Sequence, residues 1–233
     1  MGESNMRTAA VIVAAGSSLR MGAEVSKQFL EVKGIPVLAR TLLAFDQCAA
    51  ISEIVVVAKA EAVPSVEALC RTYGIRKLNA VVAGGSTRAA SAKLGFEAIS
   101  KSATHVAIHD GARCLITPED IAKVCHAAWE CGAATAAVSV TDTVKLATED
   151  GYIAQTADRR LVYLAATPQI FSAELYRRAL AAGNTEATDD NQLIEALPHP
   201  VKLIACGRDN MKITFPEDVP LAEFYLERRE GTV

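Results

Sequence analysis

The fold is decided near the N-terminus by Thr8-Ala9-Ala10-Val11-Ile12-Val13-Ala14-Ala15, which runs directly into Gly16-Ser17-Ser18-Leu19-Arg20-Met21-Gly22. Eight consecutive apolar or small residues with a β-branched centre predict a strand that is buried on both faces. Such a strand is typical of a parallel sheet covered by helices. The small residues that follow allow backbone N–H groups to approach a ligand closely.

Apolar runs and helix-period segments alternate along the rest of the chain. Further strands are predicted at residues 54–58, 80–83, 106–109, 133–140 and 201–205. Helices are predicted at residues 36–48, 63–73, 87–100, 118–132, 173–182, 192–197 and 216–229. This alternation predicts an α/β fold with a Rossmann-like, mostly parallel sheet flanked by helices, in a single domain spanning residues 1–233.

The alternation is interrupted by two short β-like segments at residues 143–148 and 152–156. They flank Glu149-Asp150-Gly151, and Asp-Gly is a hairpin signal. A hairpin inserted in an α/β domain has little core of its own and usually packs on something else, such as a second subunit. We therefore expect an inserted β-hairpin arm, roughly residues 141–163, that serves dimerisation.

The composition excludes several classes of protein. The 233 residues carry 24 Lys and Arg against 27 Asp and Glu, a formal net charge of −3. These values argue against disorder, a nucleic-acid partner and a basic membrane anchor. No apolar run reaches ~18 residues, and the polar start lacks a signal-peptide core. The six cysteines form no C-x-x-C pair, so we expect reduced thiols in a cytoplasmic protein.

Ligands of an open parallel sheet bind beyond the carboxyl ends of the strands. After the first strand, small residues and the cations Arg20 and Lys27 suit a phosphate, which needs main-chain donors and fixed positive charge. The loop matches neither G-x-G-x-x-G nor G-x-x-x-x-G-K-[ST], which disfavours a dinucleotide fold and a P-loop nucleotidase. An ordinary strand–helix turn with surface cations is an equally good interpretation of this loop alone.

Three more strand ends carry residues of the same kind. Gly84-Gly85-Ser86-Thr87-Arg88, followed by Ser91, opens a helix as an anion-binding or base-binding corner. Asp110 ends a buried strand and needs a metal ion or an arginine; a salt bridge to Arg113 alone is the plainer alternative. Lys212 follows a later strand, where a solvated lysine is the plainer alternative. Together the strand ends predict one pocket for a nucleoside triphosphate with Mg²⁺ held by Asp110.

A succession of short motifs then follows in order along the chain. They are Val13-Ala14-Ala15-Gly16, Arg20-Met21, Lys27-Gln28, Gly85…Arg88…Ser91, His109-Asp110-Gly111-Ala112-Arg113, Asp142-Thr143-Val144-Lys145, Thr167-Pro168-Gln169, Thr188-Asp189-Asp190 and Lys212-Ile213-Thr214. This succession resembles the 2-C-methyl-D-erythritol 4-phosphate cytidylyltransferase family of sugar-phosphate nucleotidylyltransferases, from about residue 8 to about residue 226. Each motif is short, and their shared register carries the resemblance.

The resemblance implies a reaction of CTP with 2-C-methyl-D-erythritol 4-phosphate that gives the cytidyl diphosphate product and pyrophosphate in non-mevalonate isoprenoid biosynthesis. The CTP-binding positions that it implies are Ala14, Ala15, Gly16, Gly85, Arg88, Ser91 and Asp110, with Asp110 near Mg²⁺. The catalytic positions are Arg20, Lys27, Lys212 and Arg159, and those around the methylerythritol phosphate are Arg113, Thr143, Arg159 and Thr188. It also implies a homodimer whose β-arm reaches into the partner's site, so that Thr143 and Arg159 serve the neighbouring subunit.

Several alternatives stay open on the sequence. Ser18, Ser26, Cys114 and Tyr163 depart from the family pattern, and ribitol 5-phosphate cytidylyltransferases share much of it. Ribitol phosphate or another sugar phosphate is therefore an alternative acceptor. A nucleotide-binding module without catalysis conflicts with the retained cations. A nicotinamide oxidoreductase lacks its glycine fingerprint. His109 beside Asp110 invites a catalytic role, but we expect it to be packed and hydrogen-bonded at the strand end.

Overall fold

The computed structural model describes residues 6–16, 27–183 and 187–231. The strands in these ranges are β1 (Thr8–Val13), β2 (Glu31–Val32), β3 (Ile35–Pro36), β4 (Ile51–Ala58), β5 (Leu78–Ala83), β6 (His105–Asp110), β7 (Ala133–Ser139), β8 (Lys145–Ala147), β9 (Ile153–Thr156), β10 (Tyr163–Ser172) and β11 (Lys202–Ala205). The α-helices are α1 (Val37–Gln47), α2 (Val63–Thr72), α3 (Arg88–Glu97), α4 (Pro118–Cys131), α5 (Ala173–Ala182), α6 (Asp190–Glu195) and α7 (Asp218–Glu230). Among these described helices, none is both long enough and apolar enough to cross a membrane.

Seven of the described strands form the central sheet, in the order β11-β7-β10-β6-β1-β4-β5. β1 runs parallel to β4 and β6, β4 runs parallel to β5, and β7 runs parallel to β11. β10 is antiparallel to both of its neighbours, β6 and β7. The predicted α/β fold with a mostly parallel sheet is confirmed, and β1 lies inside it as its apolar run requires.

The antiparallel strand β10 is the main element that the sequence interpretation omitted. Thr167–Pro168 lies within it, joined by a cis peptide bond, and the pairing with β7 shifts register between Ala165 and Gln169. A proline inside a run of residues argues against a central strand because it donates no ladder hydrogen bond. A second difference lies at Pro36, which ends the small β2–β3 hairpin and precedes α1 instead of starting it.

Helices cover both faces of the sheet because successive residues of each buried strand point to opposite faces. On β1, Ala10 and Ile12 pack with α1, α2 and α4, whereas Val11 packs with α3, α5 and α6. α3 lies close to the sheet at Gly95, where an added Cβ would lie 2.7 Å from Val57 Cγ2 and closer still to Val11 Cγ1. Only glycine permits this approach, which sets the height of α3 above the sheet.

The predicted hairpin is present as β8 and β9, which form a two-stranded sheet separate from the central one. Its turn contains Gly151 with φ +87°, the left-handed conformation that the Asp-Gly signal predicts. Every residue of both strands is exposed. The use of this arm for dimerisation stays a prediction.

Candidate active site

A cavity of about 360 Å³ opens at the edge of the sheet where β1, β4, β5 and β6 end. These strands are parallel, so their carboxyl ends and the loops that follow them meet at one place, as the strand-end rule predicts. Seven of the predicted site residues line this cavity together: Ala15, Gly16, Gly85, Arg88, Ser91, Asp110 and Lys212.

Asp110 is the centre of charge in this cavity. Its Oδ2 lies 3.1 Å from Lys212 Nζ and 3.4 Å from Arg113 Nε, and its Oδ1 lies 3.2 Å from Arg88 Nε. Burial alone would raise the pKa of Asp110, but these three positive charges outweigh burial and hold the pKa well below its ordinary value. Asp110 is therefore not paired with Arg113 alone, and Lys212 is not an unpartnered surface lysine.

Arg88 is held between two carboxylates at the first residue of α3. Its Nη1 lies 2.6 Å from Oδ2 of Asp190, whose side chain is 1% exposed. Thr87 fixes the start of the helix because its hydroxyl accepts a hydrogen bond from the Ala90 N–H at 3.0 Å. Burial would lower the pKa of Arg88, but the charges of Asp190 and Asp110 raise it above its ordinary value, so the guanidinium stays charged.

The corner after β5 brings two of the predicted loops into contact. A Cβ at Gly84 would lie 2.5 Å from the Cβ of Ala15 and 2.9 Å from the hydroxyl of Ser91, so the approach requires glycine. The Ser91 hydroxyl donates to the Thr87 carbonyl at 2.9 Å and accepts from the Gly85 N–H at 3.1 Å. These bonds shape the wall on which Gly85 and Ser91 lie.

The first loop is described only in part. Ala14 is buried behind the wall: its N–H donates to the Val57 carbonyl at 2.7 Å, and its carbonyl accepts from the Gln28 side-chain amide. Lys27 begins a short 3₁₀ helix, Lys27–Phe29. The predicted catalytic residue Arg20 lies outside the described residues.

Two of the residues predicted for the acceptor lie beside the cavity. Arg113 pairs with Asp110 and donates from Nη1 to the Asn210 carbonyl at 3.0 Å. Thr188 lines a second cavity of about 240 Å³, and Arg88 contributes to the walls of both cavities. The two cavities therefore share a guanidinium, which suits neighbouring binding sites for two anions.

The other two acceptor residues, Thr143 and Arg159, belong to the arm. Arg159 donates from Nη1 to the Thr141 carbonyl at 2.8 Å and is exposed. Neither residue is among those that line the two cavities in the described part of the chain. Within one chain, the structure therefore does not bring them to Asp110.

His109 is packed, as predicted. It is fully buried; Nδ1 lies 3.0 Å from the Thr167 hydroxyl, and Nε2 lies 3.3 Å from the Arg113 carbonyl. Its ring contacts that of Phe45 at 4.8 Å. Burial lowers the pKa of His109 to about 3. The Thr167 hydroxyl also accepts a hydrogen bond from the Asp110 N–H at 3.1 Å, so the histidine holds the strand end that carries the carboxylate.

Sequence reasoning missed three residues at this site. Lys59 lines the cavity directly after β4, where the strand-end rule would have found it. Asp190 was quoted only as part of a motif, and its pairing with Arg88 spans 102 positions, so no local pattern predicts it. Tyr176, which donates from its hydroxyl to Asp190 at 2.6 Å, has the sequence signature of an ordinary core residue.

Comparison with known proteins assigns the family. Residues 8–228 match the family described as 2-C-methyl-D-erythritol 4-phosphate cytidylyltransferase (IspD). The chain belongs to this family. The relative of that name from Pelotomaculum thermopropionicum is 41% identical over 229 residues, covering 97% of this chain and 96% of the relative. The one from Trichormus variabilis is 39% identical over 225 residues, covering 95% and 99%.

Solved structures of the methylerythritol phosphate cytidylyltransferase family share the fold. The crystal structure of 4-diphosphocytidyl-2C-methyl-D-erythritol synthase from Anaerococcus prevotii matches with a TM-score of 0.86 at 31% identity, covering 97% of this chain and 98% of that one. The resemblance carried by the sequence motifs is thus confirmed, and the chain is a nucleotidyltransferase rather than a nicotinamide oxidoreductase. The roles of individual residues stay predictions.

Proposed function

We propose that this chain transfers the cytidylyl group of CTP to 2-C-methyl-D-erythritol 4-phosphate, giving 4-diphosphocytidyl-2-C-methyl-D-erythritol and pyrophosphate in non-mevalonate isoprenoid biosynthesis. The observation that carries the proposal is the ion-pair cluster around Asp110, in a cavity of a chain that belongs to this family. Arg88, Arg113 and Lys212 surround Asp110, and Arg88 also pairs with Asp190, so three positive charges face two negative ones and positive charge is in excess. Such an excess suits the triphosphate of a nucleotide and the phosphate of an acceptor.

The reaction has to bring two anions together. A phosphate monoester is already a nucleophile and needs no general base, so one of its oxygens attacks the α-phosphorus of CTP in line. That oxygen bonds to the α-phosphorus while the bond to the bridging oxygen breaks, and pyrophosphate leaves with the electron pair. Lys212, together with Arg20, Lys27 and Arg159, offsets the charge that gathers on the phosphate oxygens.

Nucleotide binding is proposed to use the walls of the larger cavity. The N-terminus of α3 directs its N–H groups and partial positive charge toward this corner, which supports a phosphate or base site there. Ala14 acts by shaping the loop, since both of its backbone groups already have partners. The proposed set is Ala14, Ala15, Gly16, Gly85, Arg88, Ser91 and Asp110.

We propose that Mg²⁺ enters together with CTP. Asp110 Oδ1 has one ion pair where Oδ2 has two, so a lone pair is left for a metal. Within the described residues, no three His, Cys, Asp or Glu side chains are placed to hold a metal ion, so the nucleotide would supply most ligands. Mg²⁺ is commonly bound in this way, by one or two carboxylates and substrate phosphates. When bound, the ion screens phosphate repulsion and orients the leaving pyrophosphate.

The acceptor is proposed to bind Arg113, Thr143, Arg159 and Thr188, with Thr143 and Arg159 supplied by the partner subunit of a homodimer. The exposed arm supports this arrangement, because it carries both residues away from the cavities of its own chain. A cytoplasmic location is supported by the six cysteines, all of which are free thiols. Small molecules, not nucleic acids or membranes, are the proposed binding partners.

Pyrophosphate release tests the proposed function. With CTP and Mg²⁺, the purified protein is expected to release pyrophosphate in the presence of methylerythritol phosphate and not with CTP alone. Mass spectrometry identifies the product. Ribitol 5-phosphate is the matched alternative acceptor. Faster turnover with it would identify the chain as a ribitol-5-phosphate cytidylyltransferase instead. Release with neither acceptor would overturn the transferase assignment.

A further inference from the structure

A chain of three side chains joins the protein core to the cavity wall. Tyr176 on α5 is fully buried, and its hydroxyl donates to Asp190 Oδ1 at 2.6 Å. The other oxygen of this carboxylate lies 2.6 Å from Nη1 of Arg88. The Asp190 N–H donates to the Gln169 side-chain carbonyl at 3.0 Å. Asp190 is therefore held at its backbone and at both carboxylate oxygens.

The ring of Tyr176 is fixed by two aromatic neighbours. It stacks on Phe171 at 5.5 Å with an interplanar angle of 2°, and it meets Phe96 edge-on at 5.0 Å. Phe96 lies on α3, the helix that begins with Arg88, so the ring also packs against the element that carries the guanidinium. Burial and the charge of Asp190 raise the pKa of Tyr176 well above its ordinary value, so the phenol stays protonated and remains the donor.

The guanidinium of Arg88 is planar and rigid, so two carboxylates are enough to fix its orientation. Asp110 pairs with Nε and Asp190 pairs with Nη1. Among the described residues, no hydrogen bond or ion pair uses Nη2, which leaves this edge as a donor for an anion in the cavity. The two carboxylates set the orientation of that edge. The Asp190 carboxylate is in turn held by Tyr176, whose hydroxyl donates to Oδ1, the oxygen that Arg88 does not use.

We propose that Tyr176 is a positioning residue for the nucleotide, acting on Arg88 through Asp190. This inference rests on the proposed function and deepens it, since it identifies what orients a nucleotide-binding side chain from the core. Tyr176 itself touches no substrate.

Tyr176→Phe tests the proposal because it removes only the hydroxyl and keeps the ring. The buried carboxylate then loses a donor on Oδ1, and the guanidinium loses its fixed plane. We expect KM for CTP to rise about 5- to 10-fold, with kcat and KM for the acceptor within about 2-fold. Calorimetric titration with CTP and Mg²⁺ is expected to give the same loss of affinity.

Thr8→Val is the matched control. Thr8 is fully buried at the start of β1, away from the strand's carboxyl end, and its hydroxyl accepts from Trp129 Nε1 at 2.9 Å. The substitution also deletes a buried hydrogen bond, so it reproduces a general loss of stability without reaching Asp190. Its KM for CTP is expected to equal that of the wild type.

A double-mutant cycle separates positioning from a merely structural role. In Arg88→Ala protein, Tyr176→Phe is expected to change KM for CTP by less than about 2-fold, because the hydroxyl acts through the guanidinium. A normal KM in Tyr176→Phe, or its full effect in the Arg88→Ala background, would overturn the proposal. An inactive wild type would instead overturn the proposed function, and the calorimetric CTP titration would still decide the role of Tyr176.

Discussion

The larger cavity and the arm differ in whether their side chains find partners within the same chain. Asp110 lines this cavity and Asp190 lines the smaller one beside it, and both carboxylates are buried and paired with cations of the same chain. In the arm, β8 and β9 pair with each other as a separate sheet, and all of their residues are exposed. Tyr152 is 72% exposed and Ile153 is 68% exposed. One chain thus pairs the buried carboxylates of its site internally, whereas its arm leaves apolar surface uncovered.

This difference separates two kinds of functional damage. Removing a charge from the cavity is expected to act within one chain. Changing the arm is expected to act on a neighbouring chain, because Thr143 and Arg159 line neither cavity among the described residues. Substitutions in the two regions therefore test whether the site is shared between subunits.

Lys212→Ala is expected to have the largest effect. It removes a positive charge that the proposed mechanism places at the reacting phosphates, so kcat should fall about 10²- to 10³-fold, and Lys27→Ala should cost a similar factor. Steady-state kinetics with saturating CTP and acceptor measure the loss. Lys202→Ala is the control, since Lys202 is an exposed lysine of β11 paired with Glu130. Near-normal turnover in Lys212→Ala would remove this residue from the mechanism.

Co-expression of two inactive variants tests the shared site directly. Arg159→Ala and Lys212→Ala are each expected to be nearly inactive alone. If each site combines Lys212 of one chain with Arg159 of the other, a mixed dimer keeps one intact site, and a 1:1 mixture should recover about a quarter of wild-type activity. Purification through two different tags isolates the mixed dimer. No recovery would place both residues in the same chain and sink the shared-site proposal.

Ile153→Asp tests whether the exposed arm forms the contact between subunits. A charge on this exposed apolar side chain is expected to weaken the subunit contact and lower activity about 10-fold at low protein concentration. Sedimentation velocity measures the accompanying shift from dimer to monomer. Leu221→Asp, on α7, is the control for adding a charge at an apolar residue that is 43% exposed. An unchanged oligomeric state would contradict a role of the arm in dimerisation.

The expected effect at His109 is on stability and not on turnover. Burial lowers its pKa in the folded protein to about 3, so below its ordinary pKa of about 6.5 the unfolded chain binds a proton that the folded chain does not. The free energy of unfolding should therefore fall by up to ~1.4 kcal/mol per pH unit between pH 6.5 and about pH 3, the limit for one proton. Burial lowers the pKa of His105 as well, which adds to the same slope.

Urea unfolding of His109→Gln between pH 4 and pH 7 checks this expectation. The variant is expected to show a shallower dependence on pH than the wild type, whatever its stability at pH 7. His126→Gln is the control because His126 is exposed on α4. Equal slopes in His109→Gln and wild type would mean that His109 is not the group that titrates.

Most of the fold was predictable because its parallel strands and amphipathic helices have strong local periods. β10 was not, because Pro168 and the polar residues Thr167 and Gln169 interrupt the pattern of a buried strand. Their polarity is used by the site: Thr167 bonds to His109 and to the Asp110 N–H, and Gln169 accepts from the Asp190 N–H. The polar residues that obscure β10 in the sequence pattern are therefore the ones that hold Asp110 and Asp190 in place.

The residues of the candidate site that lie next to strand ends were predictable from the sequence. Those that join the site through contacts with residues distant in sequence were not. Arg88, Asp110 and Lys212 each follow or end a strand, and the structure places them in one cluster. Asp190 pairs with a residue 102 positions away, and no pattern in the sequence encodes such a distance. Which buried charges pair depends on how the helices pack on the sheet. The periodicity of a sequence shows which apolar residues face the core, but it does not show which charged residues meet there.

Gly95 links this packing to Arg88, the residue proposed to bind the nucleotide. It lies seven residues after Arg88 on α3, about 10 Å along the helix axis. A methyl group there would meet Val11 and Val57, so the helix would have to lift from the sheet and take its first residue with it. If Arg88 binds the nucleotide as proposed, its affinity would depend in part on how closely an apolar layer two helical turns away packs, although the nucleotide never reaches that layer.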